Sequence, residues 1–205
     1  MLFRSRTSAT VAALMLSLAM VIGLGGVARS SYDSILEWSD SHLNPDLFVM
    51  SSQNLSDRSF RFPYSMSAEL RAISGVAEVQ AVRTMRVPFR GVPVLIVSTE
   101  IDALHRRVRP RMIAGEEGDM NRRTAAGAGV IISENLAGLQ NLRLNHPIEI
   151  AAPGGLFRLP VAGITRDYSD QQGAILIDRA VYTRYWQDQT VRVGVSRAAA
   201  STNKR

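Results

Sequence analysis

From Thr7 to Ala28 the sequence reads TSATVAALMLSLAMVIGLGGVA, without a single charged side chain. A helix rises about 1.5 Å per residue, so about 20 apolar residues cross a hydrocarbon core of about 30 Å. Arg4 and Arg6 precede the run, and Arg29, Asp33, Glu37 and Asp40 follow it. Basic residues ahead of a span favour an N-terminus kept in the cytoplasm. The expectation is a cytoplasmic N-terminus over residues 1–8, a transmembrane helix over 9–28, and an extracytoplasmic (periplasmic) chain from residue 29 onward. That places the protein in the plasma (inner) membrane as a single-pass chain, with membrane lipid as a neighbour. A cleaved signal peptide is the alternative, since the basic start and the small residues GGVA suit one. The apolar run exceeds a usual signal core of about 7–15 residues. The following SYDSILEWSDSHL also spaces Tyr32, Ile35, Leu36 and Leu43 along one helical face. Trp38 and Tyr32 suit a membrane interface. A retained anchor is therefore expected.

The remaining composition excludes some partners. There is no cysteine, which removes disulfides and thiolate metal sites. The net charge is +6, carried by 23 arginines and the single lysine Lys204. Such a charge suits nucleic acid or anionic lipid. The arginines are scattered, however, and the densest group, HRRVRPR from His105 to Arg111, has no aromatic residues interleaved as a single-strand groove requires. It reads as solvated surface, and no nucleic-acid partner is expected.

Past Asn44 the pattern changes to short strands and short helices. PDLFVMS reads as a strand. SMSAELRAISGV reads as a short helix, with Ser65 or Ser67 as its cap, Glu69 in the first turn and Gly75 at its stop. AEVQAVRTMRVPF and VPVLIVSTE form a hairpin around Arg90-Gly91. GVIISENLAGLQNL is a strand followed by a helix capped by Ser133. HPIEIAAPGGLFRLPVAGI is a second hairpin, turning at Pro153-Gly154-Gly155. AILIDRAVYTRYWQD is a strand leading into a helix that starts near Asp178, and TVRVGVS is a final strand. The segment from Gly115 to Gly129 reads as a polar, glycine-rich, mobile connection, and the tail SRAAASTNKR as unstructured. Alternating strands and helices with hairpins among them predict an α+β fold with mixed sheets.

No catalytic motif emerges. The sequence has neither a G-x-S-x-G elbow nor a phosphate-binding lysine loop. His42, His105 and His146 are isolated and lack the spacing of a local metal site. Glu116, Glu117 and Asp119 lack the alternating oxygen ligands of a calcium loop and read as part of a solvated loop. The loop in VAGITRDYSDQQGAILID carries two carboxylates beside an arginine and a tyrosine. Asp, Ser, Gln and Gly between two apolar strands are what turn chemistry gives, the aspartates bonding nearby backbone N–H groups. Arg166, Asp167, Tyr168 and Asp170 are accordingly a candidate partner-contact loop. No catalytic, cofactor-binding or metal residue is assigned, no cofactor is expected, and an enzyme is not expected.

The order of these pieces resembles the FtsX/MacB/LolC-type ABC transporter permeases. A span is followed by LNPDLFV, by ISGVAEVQAVR, by RGVPVLIVSTEI, by MIAGE, and by GVIISENLAGLQNLRLNHPIEIAAPGGLFRLPVAGITRDYSDQQGAILIDRAVYTRYWQD. The family's GV step falls on Gly75-Val76 and its IS-LA-L segment on Ile132 to Leu144. Its P.G turn falls on Pro153 to Gly155, and its V.GI..DY....G...ID...Y...W.D pattern on Val161 to Asp188. The usual Gly-Asp before the hairpin is replaced by Asn145-His146.

The resemblance implies the first transmembrane helix and a MacB-like periplasmic core domain over 29–197, followed by a disordered tail over 198–205. It further implies a porter-like α+β subdomain with an inserted, mostly-β subdomain. In such permeases a separate ABC ATPase subunit drives motion that the periplasmic domains of a homo- or heterodimer apply to lipoproteins, peptides or other cargo, with no chemistry of their own. The closing helix, three later spans and coupling helix of such a permease are not found before Arg205, so the sequence reads as truncated. A standalone membrane-anchored periplasmic interaction module, a gene fragment without independent function and a secreted enzyme are the alternatives.

Overall fold

The computed structural model describes residues 2–42, 47–50, 62–106, 110–167, 169–191 and 193–198. The chain divides into two units, Met1–Asn44 and Pro45–Arg205.

The first unit is one helix, α1 (Leu2–His42). Its stretch Thr10–Leu36, 27 residues, is long and apolar enough to cross a membrane, and every side chain in it is exposed. At about 1.5 Å per residue it measures about 40 Å. Arg29 and Asp33 pair at 3.1 Å one turn apart.

The second unit begins with β1 (Leu47–Met50), β2 (Phe62–Pro63), α2 (Met66–Arg71), β3 (Val76–Phe89) and β4 (Val92–Thr99). It continues with α3 (Ile101–His105), β5 (Met112–Ala114), α4 (Glu117–Ala125), β6 (Val130–Ser133) and α5 (Glu134–Gln140). It ends with β7 (Pro147–Ala152), β8 (Gly155–Thr165), β9 (Ala174–Asp178), α6 (Arg179–Trp186), β10 (Thr190–Val191) and β11 (Val193–Ala198). The fold is α+β. A nine-stranded mixed sheet runs β1-β11-β3-β4-β9-β6-β8-β5, with β7 also on β8, and β10 pairs with β2. The β4–β9 and β6–β8 pairs are parallel. The sheet curls until β7 comes back beside β3.

Local sequence explains most of these elements. Arg90 and Gly91 both take positive φ, 49° and 82°, as a two-residue hairpin turn matched to strand twist requires. Ser133 caps α5, its hydroxyl accepting the Leu136 N–H, and Asp178 caps α6 by accepting the Ala180 N–H at 2.8 Å. Apolar alternation sends Ile148 and Ile150 of β7 and Phe157 of β8 inward. They meet Ile96, Ile132, Ile175 and Ile177 inside the curl. Helix α6 closes the core with Tyr182 and Trp186, whose rings stack 5.4 Å apart. Each such fully buried side chain contributes about 1.5–3 kcal/mol.

Three expectations need correction. The segment from Gly115 to Gly129 is not a mobile connection, because Glu117–Ala125 is helical and Met120 and Thr124 are fully buried. Met120 seats on the other sheet face against Ile131 and Ala162, where Gly163 leaves room: a Cβ there would lie 2.2 Å from the Met120 sulfur. Glu116, Glu117 and Asp119 thus open a helix, where carboxylates favour the positive end of the dipole. Second, Ser65 stands at the start of α2, but neither it nor Ser67 caps through its side chain, since Ser65 has helical φ and ψ and makes no capping bond. Third, the tail is ordered further than expected: Ser196, Arg197 and Ala198 belong to β11, paired with Val79, Glu78 and Val76. The rest of the tail lies outside the described residues.

Candidate functional site

The loop between β8 and β9 is built from its own side chains. Asp167 accepts the Ser169 N–H at 2.8 Å and Asp170 accepts the Gln172 N–H at 2.8 Å, two aspartate turns in succession. The Asp170 carboxylate also receives the Arg86 guanidinium. Its side chain is only 4% exposed, and the Asn135 amide donates to its backbone carbonyl at 2.6 Å. Arg166 pairs with Glu134 at 3.0 Å. Gly173, at φ 97°, ends the loop. The structure therefore brings Arg166, Asp167 and Asp170 into one loop but turns them to different partners. Tyr168 lies outside the described residues.

A second buried polar cluster lies where β3 changes partners. Val82 is the last β3 residue paired with β11, opposite Val193, and Arg83 the first paired with β4, opposite Ser98. Arg83 is buried, and its guanidinium reaches the Asp188 carboxylate at 2.8 and 2.9 Å. The Tyr182 hydroxyl donates to the same oxygen at 3.0 Å. The other oxygen accepts from the Thr190 N–H at 2.9 Å and the Thr190 hydroxyl at 2.6 Å. Burial alone would raise the Asp188 pKa. The Thr190 and Tyr182 hydrogen bonds and the Arg83 charge outweigh it and hold the carboxyl well below the usual carboxylate range. Burial pushes the Tyr182 phenol up. Arg179 lies beside the cluster, donating to the Gln189 and Thr190 carbonyls at 2.9 and 3.3 Å. Its guanidinium carbon stands 5.0 Å from the Tyr64 ring centre and 5.9 Å from that of Tyr182. Every charge here is spent on joining β3, α6 and the approach to β11.

The described histidines stay apart. The Asn121 amide lies 2.6 Å from His105 Nδ1, and His146 Nδ1 accepts the Arg143 N–H at 3.2 Å. Among the described residues no group of three or more His, Asp and Glu side chains is placed to hold a metal.

The model of the MacB-like periplasmic core domain matches residues 7–203. The chain belongs to that family. The uncharacterized ABC transporter permease protein Rv0987 of Mycobacterium tuberculosis is 30% identical over 191 residues, which are 91% of this chain and 22% of the relative. The chain thus spans about a fifth of the length of the curated relative it matches. Two solved structures share the fold. The extracellular domain of the noncanonic ABC-type transporter YknZ from Gram-positive bacteria matches at TM-score 0.55 and 12% identity, over 76% of this chain and 82% of that one. The periplasmic region of MacB from Actinobacillus actinomycetemcomitans matches at TM-score 0.53 and 10% identity, over 77% and 76%.

Seen on this fold, several described residues of the MacB-like pattern have a folding task. Gly163 makes room for Met120, Asp167 shapes the loop, and Gly173 lets α5 approach. Asp178 caps α6 and also accepts the Ile101 N–H at 3.2 Å, while Tyr182, Trp186 and Asp188 close the core and its junction. Tyr182 and Asp188 fall in the sequence pattern, but nothing in it points to the cluster they form with Arg83. The signal available was a buried-strand arginine in VRTM and an aspartate just past a helix end, and nothing local joins them.

Proposed function

We propose that the chain is the membrane-anchored periplasmic portion of an ABC transporter permease, relaying ATPase-driven motion to cargo outside the membrane without chemistry of its own. In this reading residues 1–8 are cytoplasmic, 9–28 cross the inner membrane, and 29–198 form the working domain, with 199–205 as a tail. The observation that carries it is a MacB-like match over residues 7–203 whose first part is the membrane-length stretch Thr10–Leu36. A separate ATPase subunit would supply the motion, and a second permease chain, identical or related, would complete the assembly. The absence of chemistry rests on the charged groups of the junction and the loop, which are used up in folding contacts. The loop at Arg166–Asp170 is proposed as a partner contact, with Asp170 setting its shape.

The test is made on membranes holding the full chain. Carbonate washing should leave the protein in the pellet, and protease added to spheroplasts should digest the domain and spare a fragment holding residues 9–28. Release of a species lacking residues 1–28 would overturn the anchor. Protection of the domain would overturn its placement outside.

A further inference from the structure

The segment from Leu139 to His146, LQNLRLNH, runs from the end of α5 to the start of β7, and only Leu142 in it is buried. Leu139 is 61% exposed and Leu144 36%. Isolated surface leucines mean little, but this pair stands among cations. Arg143 lies between them, exposed, with no carboxylate within ion-pair distance among the described residues. Arg90, on the β3–β4 turn, lays its guanidinium on the Gln140 carbonyl at 3.0 Å and likewise pairs with no carboxylate. At the other end Arg123 donates to the Asn145 side chain at 3.1 Å but is already paired with Asp119 at 3.7 Å, so its charge is not free. The segment itself contains no acidic residue. Elsewhere on this surface the usual arrangement is neutralised: Arg158 with Glu149, Arg122 with Asp119, Arg166 with Glu134.

We propose that this segment, with Arg90, is a docking surface for an acidic amphipathic segment of a partner protein. The argument is charge complementarity. Two arginines with no acidic partner among the described residues stand beside two exposed leucines, so a partner helix with leucines along one face and carboxylates on the borders of that face meets both at once. The inference goes beyond the permease reading and does not need it, because the surface lies wholly within the folded domain.

The probe is a labelled 18-residue peptide with leucines along one helical face and glutamates on both borders of that face, titrated by fluorescence anisotropy against the full chain in neutral phosphatidylcholine nanodiscs. Binding should weaken as salt is raised, and the same peptide with lysine for glutamate should not bind. In the variant R90N/R143E affinity should fall about tenfold, the sum of two exposed ion pairs, and the lysine peptide should now bind. Asparagine tolerates the positive φ of position 90. L139S/L144S should weaken the glutamate peptide while leaving its salt dependence intact. R143E/L144S leaves the turn untouched and should lose binding as well. The proposal is overturned if the variants bind like the parent while unfolding at the parent's temperature. It is also overturned if a scrambled peptide of equal charge binds equally, or if the surface answers only to phosphatidylglycerol in the nanodisc.

Discussion

Arg83 and Asp188 lie 105 residues apart in sequence and meet at 2.8 Å, at the one point where β3 leaves β11 and takes up β4. One ion pair thus ties the central strand to the chain leaving α6. Arg83 is 6% exposed and Asp188 20%, so removing either partner strands the other. Asp188→Asn should cost about 3 kcal/mol in urea unfolding of the full chain in detergent micelles.

The same pair sets an acid dependence. The folded carboxyl titrates below the value of about 4 of an unfolded aspartate. The unfolded chain therefore takes up its proton first, and the stabilisation is complete above about pH 4 and is lost as pH falls from there toward the folded-state value. Unfolding curves between pH 7 and pH 2 should show this loss in the parent chain and a shallower acid limb in Asp188→Asn. Parallel limbs would assign the acid dependence to other carboxylates.

Asp167 and Asp170 are three residues apart but unequal. Asp167 serves its own turn through Ser169, whereas Asp170 is buried and joins the loop to Arg86. Asp170→Ala should destabilise by about 2 kcal/mol, the cost of leaving buried donors unmet. Asp167→Asn should stay within about 0.5 kcal/mol. Thermal unfolding of the two variants side by side separates them, and equal effects would contradict the contacts described.

Two glycines at positive φ differ in their surroundings. A Cβ on Gly91 meets open space, and one on Gly173 would lie 2.4 Å from the Leu136 Cβ and 2.8 Å from its Cα. Gly91→Ala should cost about 1 kcal/mol, for the backbone conformation alone. Gly173→Ala adds overpacking against α5, so about 3 kcal/mol is expected. The difference between their unfolding midpoints is the measurement.

Met120→Ala tests the helix that composition hid. Met120 is fully buried against Gly163, and truncation should cost about 2–5 kcal/mol with exposure of α4 to proteolysis. A loss under about 0.5 kcal/mol would mean α4 is not packed.

What the sequence makes legible here is what it encodes nearby. The Arg90-Gly91 turn and the Ser133 and Asp178 caps act within four residues of themselves, and the apolar alternation of β7 needs only its own neighbours. Helix Glu117–Ala125 was hidden because its one large apolar residue, Met120, finds its seat on Gly163, a site with no local trace. The Arg83 cluster was hidden for the same reason, as its members come from a strand, a helix and a turn that only the fold assembles. The Arg166–Asp170 loop was legible as turn chemistry, while the burial of Asp170 depends on Arg86, 84 residues earlier.

Strand β3 finds β4 across two residues, but its first half must wait for β11, more than a hundred positions later. During synthesis the hairpin half can assemble as soon as it emerges, whereas the half that pairs with β11 keeps an open edge until Val193–Ala198 arrives. The order in which the chain is made thus differs from the order in which it can close, and the strand that follows α1 first in sequence is among the last to be sealed.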